Sequence, residues 1–167
     1  MFSRDRFEKE YRRIFSEYKY GTTIWSPLAG GILAGKYNDG NIPEGSRYAN
    51  QKTLDKIWQI YFADDKKEAT LKKLNALGDY AKELGYSQSQ LALAWAIANR
   101  DVSTCILGFS RLEQVDENLK ALELYKKWNA EIEKKTGEIL SNIPEADMNW
   151  RTWSPLEQRR NEAVQFQ

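Results

Sequence analysis

Residues 22–37 read TTIWSPLAGGILAGKY, and this stretch decides how the rest of the chain is arranged. Thr22 to Ser26 is β-branched and aromatic, the make-up of a strand, and Pro27 ends it. Gly30, Gly31 and Gly35 follow closely. Glycines let a backbone take left-handed conformations and let another group come near it. A second apolar run, STCILGFS, gives a strand from Ser103 to about Leu107 that breaks at Gly108. Helical patterns separate the two. Short strands divided by helices imply parallel pairing in an α/β protein.

The helical patterns lie on both sides of that unit. Phe7, Tyr11, Phe15 and Tyr18 recur at four- and three-residue spacing, predicting a helix from about Ser3 to Tyr18. Lys36 to about Gln51 is rich in turn residues and reads as loop. Leu54, Ile57, Trp58 and Tyr61 mark a short helix. Leu71, Leu74, Leu77, Ala81 and Leu84 mark a longer one, stopped by Gly85. Ser87 and Gln90 have capping-box spacing and open another, with Leu91, Ala94, Trp95 and Ala98 facing inward. Ser110 and Glu113 repeat that pattern, predicting a helix from Arg111 with Leu112, Val115, Leu119 and Leu122 toward the core. A last helix fits KKWNAEIEKKTGEILSN, and the tail at 145–167 reads as irregular. The tetrapeptide WSPL occurs at Trp25–Leu28 and Trp153–Leu156 with no wider repeat around it, so it reads as coincidence.

Composition narrows the function. Hydrophobic residues are 41% of the 167, enough for a real core. The net charge is +1, which argues against a nucleic-acid partner, since such proteins carry a basic excess. No apolar run approaches a membrane span, the N-terminus lacks a signal-peptide core, and Cys105 is the sole cysteine. Together these favour the cytoplasm. The chain has no histidine, which removes Ser-His and Cys-His nucleophilic pairs and the commonest metal ligand.

Both post-strand loops suit an anion. Free amides at a helix start carry partial positive charge, and small residues let oxygen atoms reach them. Lys36, Arg47 and Arg111 lie in these loops and can neutralise phosphate. Gln114, Glu117 and Asn118 share one helical face, able to accept from an exocyclic amine and donate to a ring nitrogen, as adenine requires. A structural turn needs the same glycines, and a polar helical face is commonly only solvated. Spacing alone leaves both alternatives open.

The segments WSPLAGGILAGKY, IPEGSR and GFSRLEQVDENL, in that order, resemble the aldo-keto reductases, nearest the potassium-channel beta-subunit and aryl-alcohol dehydrogenase-like branch. The resemblance runs from about Phe2 to Asn142 and implies the C-terminal part of a (β/α)8 TIM barrel. That part has about two core strands with outer helices, an incomplete barrel over residues 1–144. It implies NADP as cofactor. Trp25, Ser26, Pro27, Leu28, Ala29 and Gly31 would lie along the pyrophosphate and nearby sugar, and Lys36 and Arg47 would favour the extra phosphate. Gly108, Ser110, Gln114, Glu117 and Asn118 would hold the adenosine end. Phe109 and Arg111 depart from the channel-subunit pattern. The family's catalytic tyrosine, aspartate and lysine match nothing in this chain and belong to the first half of the barrel, ahead of Met1.

The implied activity is reduction of aldehydes or ketones by hydride transfer, with a carbonyl substrate engaged only when an N-terminal half completes the barrel. Self-association into a homo-oligomer is compatible with it. By itself the chain is expected to be inactive. The alternatives are an NADP-binding regulatory subunit of potassium-channel beta type and a non-functional truncated remnant. Asn38 to Tyr61 reads either as a lid over the cofactor or as an insertion on the barrel wall. Trp150 and Trp153 read either as a cover on the substrate mouth or as packing.

Overall fold

The structure, a computed structural model, describes residues 1–50, 54–145, 148–149 and 154–155. Strand β1 (Thr22–Trp25) pairs in parallel with β2 (Val102–Ile106), each within a residue of its expected span. Thr22 faces Val102 and Trp25 faces Ile106, with an irregularity after Thr22. A parallel pair needs a long crossover. Here it runs through helices α2 (Arg47–Asn50), α3 (Asp55–Phe62), α4 (Asp64–Glu83) and α5 (Gln88–Ile97). The architecture is thus α/β, a small parallel sheet flanked by helices. Two strands do not close a barrel, which takes eight.

Local chemistry sets the helix ends. At the end of α4, Gly85 takes φ +81 and the Tyr86 N–H donates to the Ala81 carbonyl, so the chain turns out of the helix. The expected capping box opens α5: Ser87 Oγ accepts from the Gln90 N–H at 3.3 Å, and Gln90 Oε1 accepts from the Ser87 N–H at 2.9 Å. Helix α5 is buried continuously from Gln88 to Ala96, which takes in the expected inward residues Leu91, Ala94 and Trp95; the fourth, Ala98, is buried just past its end. It touches α4, β2 and the glycine turn at once, and that enclosure explains why its sequence is apolar on every side. Around it, Ile32, Leu33, Tyr37, Phe62, Leu74, Leu77 and Leu91 form the core.

Several expectations need correction. The first helix is two pieces, a π-helical turn at Arg6–Glu10 and α1 (Arg12–Tyr18), divided at Tyr11. Of its four aromatics only Phe15 is buried; Phe7 is half-buried and Tyr11 and Tyr18 are exposed. The loop expected from Lys36 contains α2, and Gln51 lies outside the described residues. Ser110 and Glu113 form no capping box: α6 (Glu113–Leu119) starts two residues later than expected, with no side-chain cap. The chain bends at Lys120 into α7 (Ala121–Lys126), which buries Ala121 and Leu124. This break divides the predicted leucine stripe. Leu112, Leu119 and Leu122 are exposed by 78%, 50% and 48%, and only Val115 of the four is half-buried. The half-buried residues of α6 are Gln114, Val115 and Asn118, so the mostly polar side is the one turned inward.

Helix α8 (Ala130–Leu140) is shorter than its pattern because Asn129 caps it, with Oδ1 accepting from the Glu131 and Ile132 N–H groups at 3.0 Å each. In the tail, β3 (Met148–Asn149) pairs antiparallel with β4 (Ser154–Pro155). Trp150, Trp153 and Leu156 lie outside the described residues. Among the described residues no helix is long and apolar enough to cross a membrane.

The sheet has one covered and one open face. Ile24 and Cys105 sit opposite each other on the covered side. Thr23, Thr104, Trp25 and Ile106 point the other way and are exposed, Trp25 by 78% and Ile106 by 56%. Large apolar groups of this kind mark a surface suited to a further layer.

Candidate functional site

Because β1 and β2 are parallel, the segments that follow them leave the same end of the sheet. The first is the glycine turn. Ser26, Ala29, Gly30, Gly31 and Gly35 all have positive φ, at 50°, 49°, 66°, 105° and 86°. Two of these glycines are needed for space as well as for conformation. A Cβ on Gly30 would sit 2.9 Å from the Tyr48 hydroxyl. One on Gly31 would sit 2.7 Å from Lys36 Cε and 3.1 Å from its Nζ. The Lys36 ammonium thus folds back over the turn and lies 5.1 Å from the Tyr37 ring centre. Loop and cation, adjacent in the sequence reading, are adjacent in space.

Tyr48 fixes the turn from below. Its hydroxyl donates to the Ala29 carbonyl at 3.1 Å, and its ring packs at 5.4 Å on Tyr37 and 5.2 Å on Trp58. Arg47, expected at the extra phosphate, precedes it in α2 and is exposed. Burial, followed by the neighbouring Tyr37 and Tyr61, pushes the Tyr48 phenol up to about 12. The folded state therefore holds this proton more tightly than the unfolded state, whose phenol titrates near 10. The stability tied to that proton is intact below about pH 10 and is lost as pH rises toward 12. Burial shifts Tyr61 and Tyr80 upward too. The melting temperature should fall across this window, and Tyr48→Phe should flatten the fall. At neutral pH the same variant should be slightly less stable, by about 1 kcal/mol for the lost hydrogen bond.

In the second segment Gln114 has a defined local role. Its Oε1 accepts from the Ser110 N–H at 2.9 Å, from Ser110 Oγ at 3.3 Å and from the Arg111 N–H at 3.3 Å. These two amides precede α6 and do not belong to its first turn, and they are directed at an acceptor oxygen of the chain's own. Gly108, Ser110 and Arg111 are exposed, and Phe109 is 40% exposed. Glu117 is exposed and Asn118 half-buried on α6.

Helix α5 ties the two segments together. Gln88 Oε1 accepts from Asn38 Nδ2 at 2.8 Å, holding the far end of the glycine loop. Gln90 Nε2 donates to the Glu117 carbonyl at 2.8 Å, holding α6. Neither glutamine was singled out for this role, and neither was Tyr48. A capping box accounts for Gln90 locally, while side-chain reach to a distant loop leaves no periodic mark.

A cavity of about 240 Å³ lies against Trp25, Ser26, Pro27 and Ala29. The N-terminal segment and the end of α5, through Arg4, Glu8, Trp95 and Asn99, form its other walls. Arg4 and Glu8 are a buried bidentate pair: Nη2 to Oε2 is 2.7 Å, and Nε lies 3.0 and 2.9 Å from the two carboxylate oxygens. The guanidinium also lies 5.5 Å from the Trp95 ring centre.

Comparison with known proteins gives the family. Residues 1–136 match the model of the aldo/keto reductase family. A "Putative voltage-gated potassium channel subunit beta" of Schizosaccharomyces pombe is 46% identical over 142 residues, covering 85% of this chain and 40% of that protein. A "Probable voltage-gated potassium channel subunit beta" of Oryza sativa is 40% identical over 153 residues, covering 90% of this chain and 44% of its own length. One of the same description from Arabidopsis thaliana is 36% identical over 153 residues, with the same coverage. The chain thus spans less than half the length of these relatives. It belongs to the aldo/keto reductase family and is related to potassium-channel beta-subunit-like proteins.

Proposed function

We propose that this chain is the NADP-gripping portion of a protein of the potassium-channel beta-subunit type, and that nucleotide binding, not turnover, is the function its own residues serve. The observation that carries this is the pairing of two oxygen-seeking loops at one end of a parallel sheet. One is closed over by the Lys36 ammonium above Gly31. The other offers two amides that now hold Gln114 Oε1. Both fit the oxygens of a phosphorylated nucleotide. Trp25, Ser26, Pro27, Leu28, Ala29 and Gly31 would flank the pyrophosphate, with Lys36 and Arg47 at the extra phosphate. Gly108, Ser110, Gln114, Glu117 and Asn118 would hold the adenosine. The names of the relatives favour the regulatory-subunit reading.

A second reading is a carbonyl reductase in which this chain contributes residues 1–144 and further polypeptide supplies the catalytic set. The family match supports it. When bound, NADP supplies the hydride; the residues here orient it and carry no proton. The open face bearing Trp25 and Ile106 is where a further layer would pack. Titration of NADPH into the purified chain, followed by its fluorescence, tests the binding. The wild type should bind and Gln114→Ala should bind about five- to a hundredfold more weakly, since an uncompensated polar loss costs about 1–3 kcal/mol. Equal binding by the variant would remove the second loop from the site. Aldehyde-dependent NADPH oxidation by this chain alone would overturn the division of labour.

A further inference from the structure

We infer that Tyr48 is a positioning residue for the nucleotide's pyrophosphate: without touching the ligand, its hydroxyl holds the Ala29–Gly30 peptide so that the Gly30 N–H faces away from the core. This rests on the nucleotide reading of the glycine turn proposed above. The Tyr48 hydroxyl donates to the Ala29 carbonyl at 3.1 Å. In a trans peptide the carbonyl of one residue and the N–H of the next point in opposite directions. A carbonyl drawn onto the buried phenol therefore turns the Gly30 N–H to the other side, between Ala29 and Gly31.

The turn does not hold this peptide by itself. The Ala29 N–H donates to the Ser26 carbonyl and the Gly31 N–H to the Leu28 carbonyl, each at 2.9 Å. These bonds fix the peptide before Ala29 and the peptide after Gly30. The one between them is held from outside, by Tyr48. Both of its residues need that hold. Ala29 has φ +49, a left-handed conformation that a side chain makes costly and that persists only where the surroundings impose it. Gly30, at φ +66, has no side chain to resist a swing. Tyr48 is itself fixed: it is 4% exposed, and α2 is closed around it. Ser46 Oγ accepts from the Ala49 N–H at 3.4 Å, and Asn50 Nδ2 donates to the Gly45 carbonyl at 3.2 Å.

Tyr48→Phe keeps the ring against Tyr37 and Trp58 and removes the hydroxyl alone. Binding of NADPH and NADH to the full chain, followed by fluorescence, should weaken together by about two- to tenfold, the worth of one neutral hydrogen bond. Their ratio should stay at the wild-type value, because the pyrophosphate is common to both. Gly45→Ala should lower the melting temperature and leave both affinities unchanged, which separates positioning from stability. The residual dipolar coupling of the Gly30 N–H reads the peptide's direction without ligand, and it should change in Tyr48→Phe while those of Gly45 and Gly85 hold. If the wild type binds neither nucleotide, the nucleotide reading falls and this inference with it. If the wild type binds, three results would overturn this inference alone: unchanged affinities in Tyr48→Phe, a loss matched by Gly45→Ala or confined to NADPH, or an unchanged Gly30 coupling. Should Tyr48→Phe fail to fold by circular dichroism, the wild-type Gly30 amide decides: its proton resonance should move on addition of NADPH, and an unmoved resonance in a chain that binds would overturn the inference.

Discussion

Gly31→Ala should abolish measurable NADPH binding and lower the melting temperature by roughly 5–10 °C. Gly31 holds φ +105, where an L side chain is strained by about 1–3 kcal/mol. In a domain of this size each kcal/mol moves the midpoint by about 2–4 °C. The added methyl would also meet Lys36 Cε at 2.7 Å and its Nζ at 3.1 Å, and the ammonium would have to leave the turn. Strain and displacement therefore act on the same atoms. Gly45 separates them, because it holds φ +73 with nothing within 4 Å of a Cβ. Gly45→Ala should lose stability through strain alone and bind NADPH as the wild type does. Equal loss of binding in both variants would mean that affinity follows global stability and not the turn.

The double variant Lys36→Ala/Arg47→Ala should weaken NADPH binding by about a hundredfold while changing NADH binding much less. Hydrogen bonds to charged groups contribute about 1.5–3 kcal/mol each, so the loss of two toward one phosphate multiplies. Lys36 sits over Gly31, and Arg47 is the exposed residue just before Tyr48, whose hydroxyl donates to the Ala29 carbonyl. Rising salt should narrow the gap between the two nucleotides in the wild type and leave the variant almost unaffected, because exposed charges are screened. A parallel loss for NADPH and NADH would place these cations on the shared pyrophosphate instead of the extra phosphate.

Much of this architecture was legible in the residues because local chemistry dictated it. Strands β1 and β2, the stop at Gly85 and the capping box at Ser87 follow from composition and spacing, and each is present. The glycine turn was legible as a place needing left-handed backbone, and Gly30 and Gly31 adopt it. The second segment was less so. Ser110 and Glu113 have the right spacing for a cap, yet the Ser110 amide that a capping Glu113 would accept from is held by Gln114. Periodicity identified the leucines at 112, 119 and 122 as apolar, but it could not name what lies against them, and they stay exposed. The Arg4–Glu8 pair has the four-residue spacing of a surface ion pair, and its burial against Trp95 depends on tertiary packing. Gln88 and Gln90 likewise reach partners far along the chain, which no local pattern records.

A crystal structure of this chain grown with NADP is the most direct measurement. The account predicts nucleotide density spanning both loops: phosphate oxygens at Gly31 and Lys36, adenine beside Glu117 and Asn118, and the Gln114 carboxamide turned away from the Ser110 and Arg111 amides. Density confined to one loop, with Gln114 Oε1 still holding those amides, would contradict it.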